Sequence, residues 1–367
     1  MEEQNSDSST FVEYMKKRNL LEEKFDSSKL HEYLKQNLVD FPTGDGELTV
    51  YKFWTGTSNP TFLLGKNGKE FVLRQKSPVE VYVGYHKVDV EYKVMSALRG
   101  TSFPVPKMYL FCEDKTIMGQ EFYVMEYIKN RQFPDVNLPG VPPDQTKAIF
   151  EVAIRTLAQL HSVDTDKLHL EGIGDKENFF QQRLDMLYEG YKRTERKPIP
   201  KVNRLVEWLR DNIPKDGKAP VIHHDDFRIS NMLFHPEESQ ILAVIDWEAT
   251  SWGHPFEDLA YFCLPFHYPG ECEFVPDFKL GYYSEGIPKE EALLSLYCEL
   301  TGDSLPLPNW TFFMAMAFFR VVVNLQTAVG MFFKSGAESQ DIPASLKNMA
   351  DILEPLVEHT CNFVGIK

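Results

Sequence analysis

The chain has 367 residues, 43% hydrophobic, 13% aromatic and 25% charged, a globular rather than disordered or fibrous composition, and it is long enough for two lobes sharing a cleft. Its 39 basic and 54 acidic side chains give a formal charge of −15, which argues against nucleic-acid binding through a general basic surface. The five cysteines, Cys112, Cys263, Cys272, Cys298 and Cys361, are widely spaced with no CxxC pair, which speaks against a disulfide framework or a zinc site and for a reducing compartment.

The first residues are acidic and polar, with neither a signal-peptide apolar core nor an Arg-rich presequence, and the chain ends without a peroxisomal address. The cytoplasm is the expectation by elimination. Ser27 or Ser28 is placed to cap a short helix through Leu30, Tyr33 and Leu34. Strands are expected at 48–53, 60–64 and 70–74, and the Asn67-Gly68 pair between the last two signals a hairpin. Tyr85, Val88, Tyr92, Met95 and Leu98 recur at helical spacing, and 107–112 and 121–127 read as further strands. Residues 130–143, rich in Pro, Gly and Asn, read as a connection. Helical periodicity returns at 148–161 and dominates to the end, interrupted by an island of three short strands at 221–222, 232–234 and 241–245. The apolar stretch 310–333 is broken by Arg320, Asn324 and Gln326, so its unbroken run falls short of the ~20 residues a span needs, and it reads as a buried core helix. The layout is α+β with two lobes: an extension over 1–39, a sheet-rich lobe over 40–128 and a mostly helical lobe over 129–367.

The chemistry concentrates in the island. His224, Asp226 and Asn231 spell H-x-D-x-x-x-x-N, and twenty residues past Asp226 an apolar strand ends in Asp246-Trp247-Glu248. Phosphoryl transfer needs this kit: one carboxylate to accept or orient a hydroxyl proton, and an amide oxygen with a second carboxylate to hold Mg²⁺ against nucleotide phosphates.

The string His224-Asp225-Asp226-Phe227-Arg228-Ile229-Ser230-Asn231 resembles the H-G-D-[FY]-x-x-x-N catalytic loop of the aminoglycoside phosphotransferase and choline kinase family. Asp246-Trp247-Glu248 resembles that family's metal-binding D-W-E, and the stretch from Gly253 through Pro255, Asp258 and Leu259 to Ala260 its G-x-P-x-x-D-L-A element. Upstream, Ser58-Asn59-Pro60-Thr61, Phe71-Val72-Leu73-Arg74, Val88-Asp89-Val90-Glu91-Tyr92, Phe103-Pro104-Val105-Pro106 and Phe122-Tyr123-Val124-Met125-Glu126-Tyr127 follow in the expected order. Together they resemble the kinase-like domain at the N-terminus of certain large animal acyl-CoA dehydrogenases, over roughly residues 40 to 340.

The resemblance implies a protein-kinase-like fold with an antiparallel-sheet N-lobe and a larger, mostly helical C-lobe, using ATP and Mg²⁺ on a small-molecule hydroxyl. It makes Asp226 the catalytic base, flanked by His224 and Arg228, and Asn231 and Asp246 the metal ligands. Thr57, Ser58 and Asn59 become the phosphate-covering loop and Arg74 the nucleotide cation, with Glu91 its helix partner. Glu126 and Ile128 offer backbone groups to adenine, and Met125 lines the pocket behind it. The dehydrogenase-linked subgroup implies a hydroxyacyl-CoA or hydroxy acid as acceptor, an acyl-CoA dehydrogenase as pathway partner, and a mitochondrial or peroxisomal alternative to the cytoplasm. Two positions depart from the family pattern: Asp225 stands where the family has Gly, and Arg74 where kinases usually have Lys.

Other readings stay open on the residues alone. His224-Asp225 also spells the HD dyad of metal-dependent phosphohydrolases, which needs further imidazoles nearby. Asp225 supports a non-catalytic nucleotide-binding scaffold, and an amino-alcohol such as choline or an aminoglycoside is the alternative acceptor. Residues 310–333 and 262–278 are candidates for an apolar acceptor pocket or plain core. His224 is expected to brace the loop, and His161, at the end of an amphipathic helix, to be a cap or surface residue.

Overall fold

Alternating apolar residues along the first strands leave two buried faces, and the chain closes a sheet between them. The computed structural model describes residues 20–22, 27–53, 59–78, 87–168, 170, 172–268, 285–334 and 342–367. Strands β1 (Leu20–Glu22), β2 (Thr49–Phe53), β3 (Thr61–Lys66), β4 (Lys69–Gln75), β5 (Met108–Cys112) and β6 (Phe122–Glu126) form one antiparallel sheet in the order β1-β2-β3-β4-β6-β5. The β3–β4 turn pairs Lys66 with Lys69 across Asn67 and Gly68, both at positive φ, as the hairpin signal predicts.

One face of the sheet, carrying Leu64, Phe71, Leu73, Phe122 and Val124, packs under helix α1 (Ser28–Asn37) through Leu30 and Leu34. The opposite face, carrying Val72, Tyr123 and Met125, joins the main core with helix α2 (Val88–Leu98). Period-two alternation thus sends neighbouring residues of one strand into different cores. Tyr85, expected to open α2, lies outside the described residues.

A one-turn helix α3 (Lys115–Met118) joins β5 to β6. The helical lobe follows: α4 (Pro143–His161), α5 (Phe179–Thr194), α6 (Pro200–Asp211), α7 (Pro255–Cys263), α8 (Glu290–Thr301), α9 (Trp310–Lys334) and α10 (Ala344–Phe363). Helix α9 is long and apolar enough to cross a membrane, yet 89% of its most apolar window is buried against α10, α5 and α7, which makes it the central core helix. The island holds four short strands rather than three. β7 (Val221–His223) pairs with β10 (Ser251–Gly253), and β8 (Met232–Phe234) with β9 (Ile241–Val244). The fourth strand is a three-residue Ser-Trp-Gly segment, too short to show alternation. The fold is a two-lobe kinase-like α+β architecture, and both small sheets carry the loops that matter next.

Candidate active site

The loop between β7 and β8 contains the His224–Asn231 motif, and its last turn is a 3₁₀ segment over Ile229–Asn231. Asn231 donates through Nδ2 to the Asp226 carbonyl at 2.9 Å and to Asp226 Oδ2 at 2.7 Å. The same carboxylate oxygen accepts from Arg228 Nε at 3.1 Å. Burial opposes a charge on Asp226, but Arg228, Arg320 and His224 outweigh it and hold this carboxyl below the usual range. His224 is buried behind the loop. Its Nδ1 accepts from the Asp226 N–H at 3.2 Å, its Nε2 faces the Ile245 carbonyl at 3.0 Å, and its ring lies 4.4 Å from that of Trp247. It braces the loop, as the sequence suggests.

Asp246 follows β9 at φ 71°, a left-handed conformation that a non-glycine residue adopts at a cost of roughly 1–2 kcal/mol. It meets the N-lobe through Arg74 at the end of β4. Arg74 Nη2 lies 2.5 Å from Asp246 Oδ1 and 3.1 Å from Glu248 Oε2, and its Nε is 3.0 Å from Glu91 Oε2 on α2. Burial raises the Asp246 carboxyl to about 6, with Glu248 and Asp226 adding to the rise and Arg74 pulling against it. Burial likewise pushes Glu91 upward, against the pull of Arg74. Asn59, expected in the phosphate-covering loop, is buried. Its amide donates to Glu248 Oε2 at 2.8 Å and accepts from the Ser77 N–H at 2.9 Å, which ties it to the front of the site. Thr57 and Ser58 lie outside the described residues.

Between the lobes lies a cavity of about 300 Å³, lined by Val72, Arg74, Met125, Glu126, Ile128 and Ile245 among others, a volume suited to a purine nucleotide. The Glu126 N–H bonds the Lys107 carbonyl at 2.8 Å, and the Ile128 carbonyl accepts from Asn130 at 2.7 Å. The Glu126 carbonyl and the Ile128 N–H stand two residues apart in the segment that lines this cavity, the spacing the family resemblance expects for a base edge.

Behind Asp226 the structure builds a second charge cluster. Asp225, at φ 65°, explains why glycine suits this position elsewhere: the loop needs a left-handed residue here. The Asp225 carboxylate turns into the core, where it pairs with Arg183 of α5 and lies 2.7 Å from Arg320 Nη1 of α9. Asp258, at the start of α7, accepts the His224 and Asp225 N–H groups at 2.7 and 2.9 Å and lies 2.9 Å from His223 Nε2. His161 does not behave as a surface residue. Its side chain turns inward at 2% exposure, 3.5 Å from Asp258 and 2.6 Å from the Tyr297 hydroxyl. These contacts take the His224-Asp225 dyad out of contention as a metal site, and among the described residues no cluster of three His, Cys, Asp or Glu side chains is set to hold a metal. The donors that fit a hard dication are Asp246 and the amide oxygen of Asn231, whose nitrogen is already used; such a pair leaves places for phosphate oxygens, as Mg²⁺ sites do.

Glu248, Asp258, Arg183 and Arg320 carry this geometry without having been singled out from sequence as site residues. Asp258 lies in a motif that was visible, and an arginine inside an apolar helix signals a buried anion without saying which.

The class of protein these observations define is shown directly: residues 49–293 match the phosphotransferase enzyme family, and the chain belongs to it. Acyl-CoA dehydrogenase family member 11 of Homo sapiens is 38% identical over 342 residues, 92% of this chain and 43% of the relative. Acyl-CoA dehydrogenase family member 10 of Mus musculus is 33% identical over 335 residues, 91% of this chain and 31% of the relative. The chain thus spans less than half the length of these curated relatives. Among solved structures, a candidate aminoglycoside phosphotransferase of Ralstonia eutropha superposes with a TM-score of 0.78 at 33% identity, covering 93% of this chain and 98% of that one. Spectinomycin phosphotransferase, solved with ADP and spectinomycin, shares the fold at a TM-score of 0.57 and 16% identity, covering 93% of this chain and 99% of that one.

Proposed function

We propose that this phosphotransferase moves the γ-phosphoryl group of ATP to a hydroxyl of a small molecule with an apolar acyl portion, a hydroxyacyl-CoA or hydroxy acid. The observation that carries the reading is the meeting of Asp226, Asn231 and Asp246 on adjoining loops beneath a nucleotide-sized cleft, with Arg74 reaching in from the other lobe. Asp226 accepts the hydroxyl proton as the acceptor oxygen bonds the γ-phosphorus and the bond to the bridging oxygen breaks, releasing ADP. Asn231 and Asp246 are the residues that would hold Mg²⁺, whose contribution is to neutralise phosphate charge. Arg74 gives the phosphates a fixed cation, while the Glu126 carbonyl and Ile128 N–H orient the base.

The acceptor class is supported by the names of the curated relatives, not by a preformed cavity: the recess beside Arg228 and Ser230 is only about 10 Å³, room for one water. Its walls are Phe133, Val136, Tyr261, Phe262 and Pro265, with no acidic side chain among the described lining residues. Phe133, Tyr261 and Phe262 give this corner an apolar surface beside the Arg228–Asp226 pair, which suits an acyl group in chemical character. The names of the curated relatives support the acyl-CoA side of this reading and an acyl-CoA dehydrogenase as the partner that takes the product. Asp225, the feature favouring a non-catalytic scaffold, loses that weight because its charge faces buried arginines rather than the cleft.

Phosphorus NMR of the protein with Mg·ATP and, in turn, a hydroxyacyl-CoA mixture, choline and kanamycin tests the reading. A new phosphoester signal with the hydroxyacyl-CoAs, lost in Asp226→Asn, is expected. A signal with choline or kanamycin alone overturns the acceptor class, and intact ATP throughout overturns the kinase reading.

A further inference from the structure

The Arg320 guanidinium sits between two consecutive carboxylates. Its Nη1 is 2.7 Å from Asp225 Oδ1, whereas its Nη2 stays 3.9 Å from Asp226 Oδ1, beyond hydrogen-bond reach. The ring of Tyr261 lies 4.5 Å from the guanidinium carbon. Arg320 is 7% exposed and comes from the centre of the core helix α9, so it cannot turn to solvent. A buried guanidinium takes whichever carboxylate is nearest, since leaving it unpaired costs several kcal/mol. Removing Asp225 makes Asp226 that carboxylate.

We propose that Asp225 is a positioning residue: it holds Arg320 off the Asp226 carboxylate, so that this side chain keeps its orientation in the loop. Arg183 completes the arrangement. It pairs with the same Asp225 oxygen and, through Nε, lies 3.4 Å from Glu257, fixing Asp225 from the side away from the cleft. A glycine fulfils the backbone requirement at φ 65° but leaves Arg320 without its counter-ion.

This inference rests on Asp226 being the base. Its test is a double-mutant cycle of Asp225→Gly, Arg320→Met and the double variant, with ATP consumption in the hydroxyacyl-CoA mixture as probe and a crystal structure of Asp225→Gly. Glycine suits the local φ, so any loss is not backbone strain. Asp225→Asn, which also tolerates positive φ, serves should the glycine variant not fold. In Asp225→Gly, kcat is expected to fall on the order of 10²-fold with KM for ATP unchanged, and Arg320 to close to roughly 3 Å from Asp226. Adding Arg320→Met is expected to restore at least about tenfold of kcat, a rescue that loss of packing cannot produce. A double variant slower than the single, or an Arg320 that stays away from Asp226 in the Asp225→Gly crystal, overturns the proposal. Wild-type protein that consumes no ATP overturns the kinase reading instead, and the crystal structure still decides the position of Arg320.

Discussion

Two charge clusters flank the His224–Asn231 loop, and they differ in what they leave open. In front, between the lobes, Arg74 is shared by Glu91, Asp246 and Glu248, and Asp246 keeps 25% of its side chain exposed. Behind, inside the helical lobe, Arg183, Arg320, Asp225, Asp258 and His223 are all 7% exposed or less and bind one another and the loop backbone. The front cluster joins elements 172 residues apart across a cleft, where the proposed function has its contacts exchange for phosphate and metal. The rear cluster pairs chiefly within itself and with the loop backbone, and so serves to hold the loop in one shape. Similar charges thus perform opposite tasks, set by whether a ligand can reach them.

Removing the carboxylates proposed as base and metal ligand separates the two most sharply. Asp226→Asn and Asp246→Asn are expected to lower turnover by about 10³–10⁴-fold, some 4–5 kcal/mol of barrier, while the denaturant midpoint barely moves. Substantial turnover in either variant breaks the assignment of the front cluster to chemistry. The rear cluster predicts the reverse balance. Asp258→Asn removes the anion that caps two loop N–H groups and faces two imidazoles, and about 3–4 kcal/mol of stability should go with it. Urea denaturation measures this, and a loss under 1 kcal/mol would make the rear cluster dispensable.

The front cluster was largely legible in the sequence, because its members sit in strings whose chemistry is local: His224 to Asn231, Asp246 to Glu248, and Arg74 at the end of an apolar strand. The rear cluster was not, since its tightest ion pairs span 35 to 95 residues by subtraction of their positions, from His223 with Asp258 to Arg320 with Asp225, and periodicity carries no such information. His161 was misread for the same reason: the end of an amphipathic helix predicts a surface residue unless a distant carboxylate draws the ring inward. The polarity of Asp225 was visible, but its direction depended on φ 65°, which no pattern in the chain discloses.

The rear side also predicts an acid sensitivity. His254 caps α7 with Nδ1, lies 3.2 Å from Asp216 through Nε2, and stacks 4.5 Å from Phe313. Burial lowers this imidazole to about 4, against the pull of Asp216. An unfolded histidine titrates near ~6.5, so between these values the unfolded chain binds a proton that the native state refuses. Stability from this group is complete above pH ~6.5 and falls as the pH drops toward 4, by about 2 kcal/mol at pH 5. Urea midpoints at pH 7 and pH 5 should therefore converge in His254→Asn, which keeps a capping side chain without the titration. An undiminished acid loss in that variant would place the sensitivity elsewhere.

The smallest effect tests the adaptability of the front cluster itself. Arg74→Lys keeps the charge but replaces a fork that reaches Glu91, Asp246 and Glu248 together with a single ammonium. One point charge still offers phosphate a cation, and kinases commonly place lysine here. Weakening of ATP binding by about tenfold, roughly 1.4 kcal/mol, is expected by calorimetry with Mg·AMP-PNP, with stability changed by less than about 1 kcal/mol. A much larger loss of stability would show that the fork is structural and that the front cluster is as rigid as the rear. An unchanged affinity would show that the phosphates are held without this side chain. The intermediate outcome is the one that a cluster built to exchange partners requires, because a lysine can make each of its contacts singly but not all three at once.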